Sequence, residues 1–159
     1  MSPRLHLAAV SALAIILAVL QAAPAARAAE TAHGATPATA IARTPRPAEA
    51  RLYIISPQHG ETVASPVTVR FGLAGMGVAP AGVATPNTGH HHLIVDSPVP
   101  AFDAPLPKDD KHVHFGGGQT ETRVALTPGT HTLRLVLADK DHVPHEPPLV
   151  SDAITITVK

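Results

Sequence analysis

Apolar side chains recur at every second position in four stretches of residues 51–159. Val67, Val69, Phe71 and Leu73 alternate with Thr68, Arg70 and Gly72. Thr122, Val124 and Leu126 alternate with Glu121 and Arg123; Leu133, Leu135 and Leu137 share one face, as do Ile154, Ile156 and Val158. A period of two is that of a half-buried strand, whose successive side chains point to opposite faces. Shorter apolar or β-branched stretches at 52–55, 91–95 and 112–115 bring the expected strands to seven. Ser56-Pro57, Gln58-His59-Gly60, Gly116-Gly117-Gly118 and Pro128-Gly129 punctuate them, and no segment carries a helical period.

Seven short strands in about a hundred residues predict an all-β fold, an immunoglobulin-like antiparallel β-sandwich. The Cys pair and Trp of antibody domains are missing, so the expectation concerns broad architecture alone. Three connections are long, at 74–89, 97–111 and 139–152, and loops of that length in a compact domain tend to carry function.

Upstream the pattern changes twice. Arg4 precedes an apolar run from Leu5 to Leu20 interrupted by His6 and Ser11, and Ala26-Arg27-Ala28 has the small-x-small form of a cleavage site. Residues 1–28 therefore read as a Sec-type signal peptide, with a periplasmic or secreted product. The run is short for a membrane span, so no stable anchor is expected after cleavage, and no cysteine follows it to carry a lipid. Residues 29–50 are Ala/Thr/Pro-rich without hydrophobic period and read as a flexible, disordered tether. The folded domain is expected at 51–159.

Composition narrows the partners. The expected signal holds Arg4 and Arg27 and no acid, leaving ten Lys+Arg against twelve Asp+Glu. A slightly acidic chain without a basic cluster argues against nucleic acid. Without cysteine the fold rests on its core or on a bound ligand rather than on a disulfide. Three Phe, one Tyr and no Trp leave little aromatic surface for stacking sugars or bases.

Histidine is the outlying residue type, at eleven positions. If successive strands run up and down, the loops after the second, fourth and sixth lie at one end of the sandwich. His90 and His92 begin the third strand there, His114 ends the fourth, and His142 and His145 lie in the last of those loops. Residues i and i+2 share a strand face, which pairs His90 with His92 and His112 with His114. The candidate metal ligands are accordingly His90, His92, His112, His114, His142 and His145. Imidazole suits Cu(II) or Zn(II), and Met76 is the only sulfur after the expected signal, which speaks against a copper(I) carrier. His91 shares its face with Leu93 and Val95 and is expected at the core edge. His33, His59 and His131 are expected in solvent, and Asp139, Asp141 and Glu121 are candidates to orient ligand rings. The three glycines at 116–118 either make a bend or admit a close backbone approach.

Gly89-His90-His91-His92-Leu93, the stretch from Pro105 through Lys111, His112-Val113-His114-Phe115-Gly116-Gly117-Gly118-Gln119-Thr120-Glu121, the turn from Pro128 to Leu133 and His142-Val143-Pro144-His145 together resemble an exported bacterial family, domain of unknown function 4399. The resemblance spans roughly residues 60–158 and implies a shared His-rich site rather than a reaction. Three functional readings follow. The first is an exported binding module for a divalent transition metal, Cu(II) or Zn(II), that exchanges its ion with solution or with another periplasmic protein. The second is a structural or protein-interaction sandwich whose histidines are hydrogen-bonded. The third is a metal-dependent redox enzyme, because His112-Val113-His114-Phe115-Gly116 resembles the His-Val-His segment of copper/zinc superoxide dismutases, whose disulfide cysteines have no counterpart here. No Ser/His/Asp motif or nucleophile elbow is present in the sequence, and a non-enzymatic role is expected.

Overall fold

The structure, a computed structural model, describes residues 41–159; the expected signal peptide, most of the expected tether and His33 lie outside them. Ten strands form: β1 (Arg51–Ser56), β2 (Thr62–Val63), β3 (Val67–Ala74), β4 (Gly77–Val78), β5 (Thr88–Val95), β6 (His112–His114), β7 (Glu121–Val124), β8 (Gly129–Ala138), β9 (Pro144–Val150) and β10 (Ile154–Val158). There is no helix among the described residues. β1, β3 and β7 make a three-stranded sheet, and the other seven strands make a second sheet centred on β5 and β8. The protein is an all-β sandwich, as the period of two predicts. Its pairings are antiparallel except for the short contacts of β10 with β2 and of β4 with β5.

The main core lies between the sheets. Leu52, Val67, Val69 and Phe71 from the small sheet meet Leu93, Val95, Leu133, Leu135, Leu137, Ile156 and Val158 from the large one. A smaller apolar cluster covers the opposite face of the large sheet, where Ile94, Val136 and Ala138 pack against Leu106 from the 97–111 connection. β5 is thus buried on both faces from Gly89 to Val95. That explains why its C-terminal half, Leu93-Ile94-Val95, is apolar at every position rather than at alternate ones. Odd positions His91, Leu93 and Val95 face the main core; even positions His90, His92 and Ile94 face the other way.

Three strands are absent from the sequence reading. β2 and β4 are two residues each, too short to show a period. β9 contains Pro144, Pro147 and Pro148 and falls inside the expected 139–152 loop. Proline is tolerated there because β9 is an outer strand of the sheet: the only strand it pairs with is the C-terminal half of β8, whose N-terminal half is taken by β10.

The expected domain boundary at Arg51 needs correction. Residues 43–46 run along the outer edge of β9: Glu146 N donates to Thr44 O at 2.9 Å and Arg46 N to Glu146 O at 3.3 Å. The Arg43 guanidinium reaches the carbonyls of Pro144 and His145 and the Glu146 carboxylate. Ala50 is buried in the main core. The segment has no hydrophobic period, which is why its sequence predicts a tether. It is held through backbone and guanidinium bonds, which leave no such period, and it covers a sheet edge that would otherwise be exposed.

Candidate metal centre

Four histidines meet on the outer face of the large sheet. His90 and His92 project from the same face of β5, and His114 of β6 stands directly across from His92 in the strand register. His142 arrives from the turn joining β8 to β9. Ring centroids lie 4.9 Å apart for His90 and His92, 5.0 Å for His90 with either His114 or His142, and 4.8 Å for His114 and His142. His92 is 5.1 Å from His114 and 6.0 Å from His142. His90 and His92 are buried and form the floor, while His114 and His142 are half-buried and form the rim.

The turn that delivers His142 is built around Asp139. Asp139 Oδ1 accepts from the amides of Asp141 at 2.9 Å and Val143 at 3.0 Å, and its Oδ2 accepts from the Thr44 hydroxyl at 2.6 Å. His142 N donates to Asp139 O at 3.0 Å, and His142 O accepts from Leu106 N at 2.9 Å. These bonds hold His142 at φ 67°, a left-handed conformation that costs a non-glycine residue about 1–3 kcal/mol. Gly116 has a comparable steric role. A Cβ there would sit 2.3 Å from His114 Cε1 and 2.5 Å from its Nε2, so only glycine leaves room for the ring.

Burial sets the electrostatics. Desolvation, then the neighbouring His142 and His114, lowers the pKa of His90 to about 4. Desolvation followed by the other rings lowers His92 to about 2. His114 is lowered as well, by burial first, then by His142 and by the charge of Lys108. These three rings are neutral at pH 7 and need not shed a proton to coordinate. His90 Nε2 and His92 Nε2 lie 3.0 Å apart and share a hydrogen bond. The buried Nδ1 of both rings and Nε2 of His114 have no hydrogen-bond partner among the described residues.

Ligand nitrogens of His90, His114 and His142 all lie within 4.8 Å of one another. A tetrahedral ion with bonds of about 2.0–2.1 Å would set its nitrogens about 3.4 Å apart. Small inward movements of the rings therefore bring this donor set onto a metal. The all-imidazole set and the orphaned buried nitrogens fit such an ion.

Two of the six candidate ligands are not brought into the group. His112 is on the same face but turns away: its Nδ1 donates to Asp109 Oδ1 at 2.8 Å, and its Nε2 lies 3.4 Å from the Ser97 hydroxyl. His145 is fully buried on the other side of the sheet. Its Nε2 lies 3.0 Å from where a Cβ of Gly89 would be, on the face shared with His91, and its Nδ1 donates to Thr44 O at 3.2 Å. Alternation does not reveal this, because the proline-rich sequence of β9 carries no strand period.

The remaining expectations divide similarly. His91 is buried against Phe71 and donates from Nδ1 to Gln119 O at 3.2 Å. His131, expected in solvent, bonds to Asp96 Oδ2 at 2.6 Å and Thr127 O at 2.8 Å, and His59 accepts from Thr155 N at 3.1 Å. Asp139 positions the backbone of the His142 turn rather than a ring. Asp141 pairs with Lys140, and Glu121 with Arg70 on the small sheet. Thr44 went unnoticed in the sequence because nothing local connects it to a turn ninety-five positions away.

Fold and site together define a β-sandwich with a histidine cluster on the outer face of its larger sheet. Residues 69–159 match the family model described as Domain of unknown function (DUF4399), and the chain belongs to that family. Neither the curated proteins nor the solved structures contain a match to it.

Proposed function

We propose that the chain is an exported binding module that holds a divalent transition metal, Cu(II) or Zn(II), on His90, His92, His114 and His142. The observation that carries this reading is the approach of the His90, His114 and His142 ligand nitrogens to within 4.8 Å of one another, in a group where buried nitrogens of His90, His92 and His114 lack a protein partner. An unsatisfied buried polar group costs about 1–3 kcal/mol, and a coordinated ion offsets that cost. Met76 packs against the main core on the other side of the sheet, which leaves nitrogen as the donor and favours an oxidised-copper or zinc site. The role is binding rather than catalysis, and the ion is exchanged with solution or with another periplasmic protein.

The test is metal analysis of untagged protein, followed by calorimetric titration with Cu(II) and Zn(II). His90→Ala with His114→Ala should remove most of the affinity, and so should His142→Ala. His112→Ala and His59→Ala should leave it nearly intact. The 3.0 Å bond between His90 and His92 supports the competing view of a purely hydrogen-bonded cluster. An unmodified protein that binds neither metal would establish that view instead.

A further inference from the structure

Asp139 carries a charge that its hydrogen bonds do not account for. The residue is buried, at 6% exposure. Its Oδ1 accepts from the amides of Asp141 and Val143, and its Oδ2 from the Thr44 hydroxyl. All of these donors are neutral. The neighbouring cations turn elsewhere, Lys140 to Asp141 and Arg43 to Glu146. Burying a carboxylate without a cationic partner is costly even where hydrogen bonds soften the loss of water. The turn does not demand the charge, because an Asn side-chain oxygen caps turn amides as well.

The carboxylate stands next to the histidine cluster. Ala138 lies directly across from His90 in the register of β8 and β5, and Asp139 is the next residue. Residues so opposed have Cα atoms about 4.5–5.5 Å apart. The two amides bound to Oδ1 belong to the residues on either side of His142, whose own N–H donates to Asp139 O at 3.0 Å. The charge reaches the cluster: burial, then His142 and His114, lower the His90 pKa to about 4, while Asp139 works in the opposite sense by favouring positive charge on that ring. Asp139 is not itself in the ligand group of His90, His114 and His142. Buried nitrogens without a partner thus adjoin a buried anion without a cation, and one metal ion answers both.

We propose that Asp139 is the fixed counter-charge of the metal site, a carboxylate that does not ligate the ion but makes the histidine cluster favour divalent over monovalent ions. This rests on the metal-binding reading above and adds the residue that sets charge selectivity. Coulomb attraction is proportional to the charge of the ion, so Asp139 attracts Cu(II) or Zn(II) twice as strongly as Cu(I).

The experiment titrates the untagged full chain and its Asp139→Asn variant with Zn(II) and with Ag(I), a monovalent probe, both in chloride-free nitrate buffer. Zn(II) affinity should fall about 10–100-fold in the variant, the range for groups that support a ligand set from behind. Ag(I) affinity should fall only by the square root of that factor, about 3–10-fold, because the lost attraction is half as large. Asp139→Ser, also neutral, should repeat the pattern. Thr44→Val keeps the charge and loosens the turn, so it should weaken both ions by equal factors. Equal losses for the two ions in Asp139→Asn would overturn the counter-charge and reduce Asp139 to a brace of the His142 turn. An unchanged Zn(II) affinity would overturn it as well, with the metal site intact. Failure of the unmodified protein to bind Zn(II) or Cu(II) would overturn the metal reading and this inference together.

Discussion

At the scale of single residues, two sets of histidines respond to pH in opposite senses. His90 and His91 have pKa values lowered to about 4, and His92 to about 2, chiefly by desolvation. In the unfolded chain each titrates near the unperturbed value of about 6.5. The unfolded state thus binds more protons below that value, so their stabilisation is complete above about pH 6.5 and is lost as pH falls toward 4 and below. Urea midpoints of the metal-free protein should drop steeply through that interval, and a flat profile would contradict the burial described here. His131 is raised by its bond to Asp96, then by its bond to Thr127 O, so its contribution is present below about pH 6.5 and fades as pH rises through its higher folded value. His131→Gln should therefore cost more stability at pH 5.5 than at pH 8.5, read from the same melts. Gly116 provides the steric counterpart. Gly116→Ala pushes a methyl into the His114 ring and should weaken metal affinity about 10–100-fold, the range for residues that orient a ligand, while circular dichroism still reports the β fold.

At the scale of elements, the segment at 43–46 and the turn at 139–143 act as one unit. Thr44 bonds the Asp139 carboxylate that caps the turn, and its carbonyl receives both His145 Nδ1 and Glu146 N. Thr44→Val removes a hydrogen bond to a charged acceptor, worth about 1.5–3 kcal/mol. It should lower the melting temperature and loosen the turn that carries His142. A chain starting at Pro47 would lose the whole strap, and the Glu146 amide should then exchange with deuterium much faster than in the intact protein. Unchanged protection at Glu146 would show that β9 keeps its place without the strap. Gly89 tests the other side of this unit: a Cβ there would meet Ala138 O at 2.6 Å and His145 Nε2 at 3.0 Å. Gly89→Ala should destabilise by about 1–3 kcal/mol, as overpacking does.

At the scale of the whole molecule, the chain has no disulfide, and the large sheet carries buried imidazoles on both faces. A ligand that binds only the folded state stabilises it by mass action, by about 2.7 kcal/mol at a hundred times its dissociation constant. Saturating Zn(II) should accordingly raise the melting temperature by several degrees, in a concentration-dependent way. The rise should vanish in the His90→Ala/His114→Ala protein. An equal rise in both would mean the ion binds elsewhere on the surface.

The sheet was legible because its information is local. Leu133, Leu135 and Leu137 announce their strand within a few residues of chain, and the pairing of His90 with His92 follows from the pleat alone. The triple-histidine run was also visibly odd beside an apolar stretch. Only the tertiary structure decided which histidines meet. His112 has the right face yet is drawn off by Asp109 and Ser97; His145 lies three positions from His142 and ends on the opposite side of the sheet. The order of residues 43–46 is invisible in the sequence for the same reason, since Arg43 and Thr44 are held by groups about a hundred positions away. Periodicity records the direction in which a strand presents its side chains. Partner choice depends on through-space distances that loops and strand order set, and these leave no period in the chain.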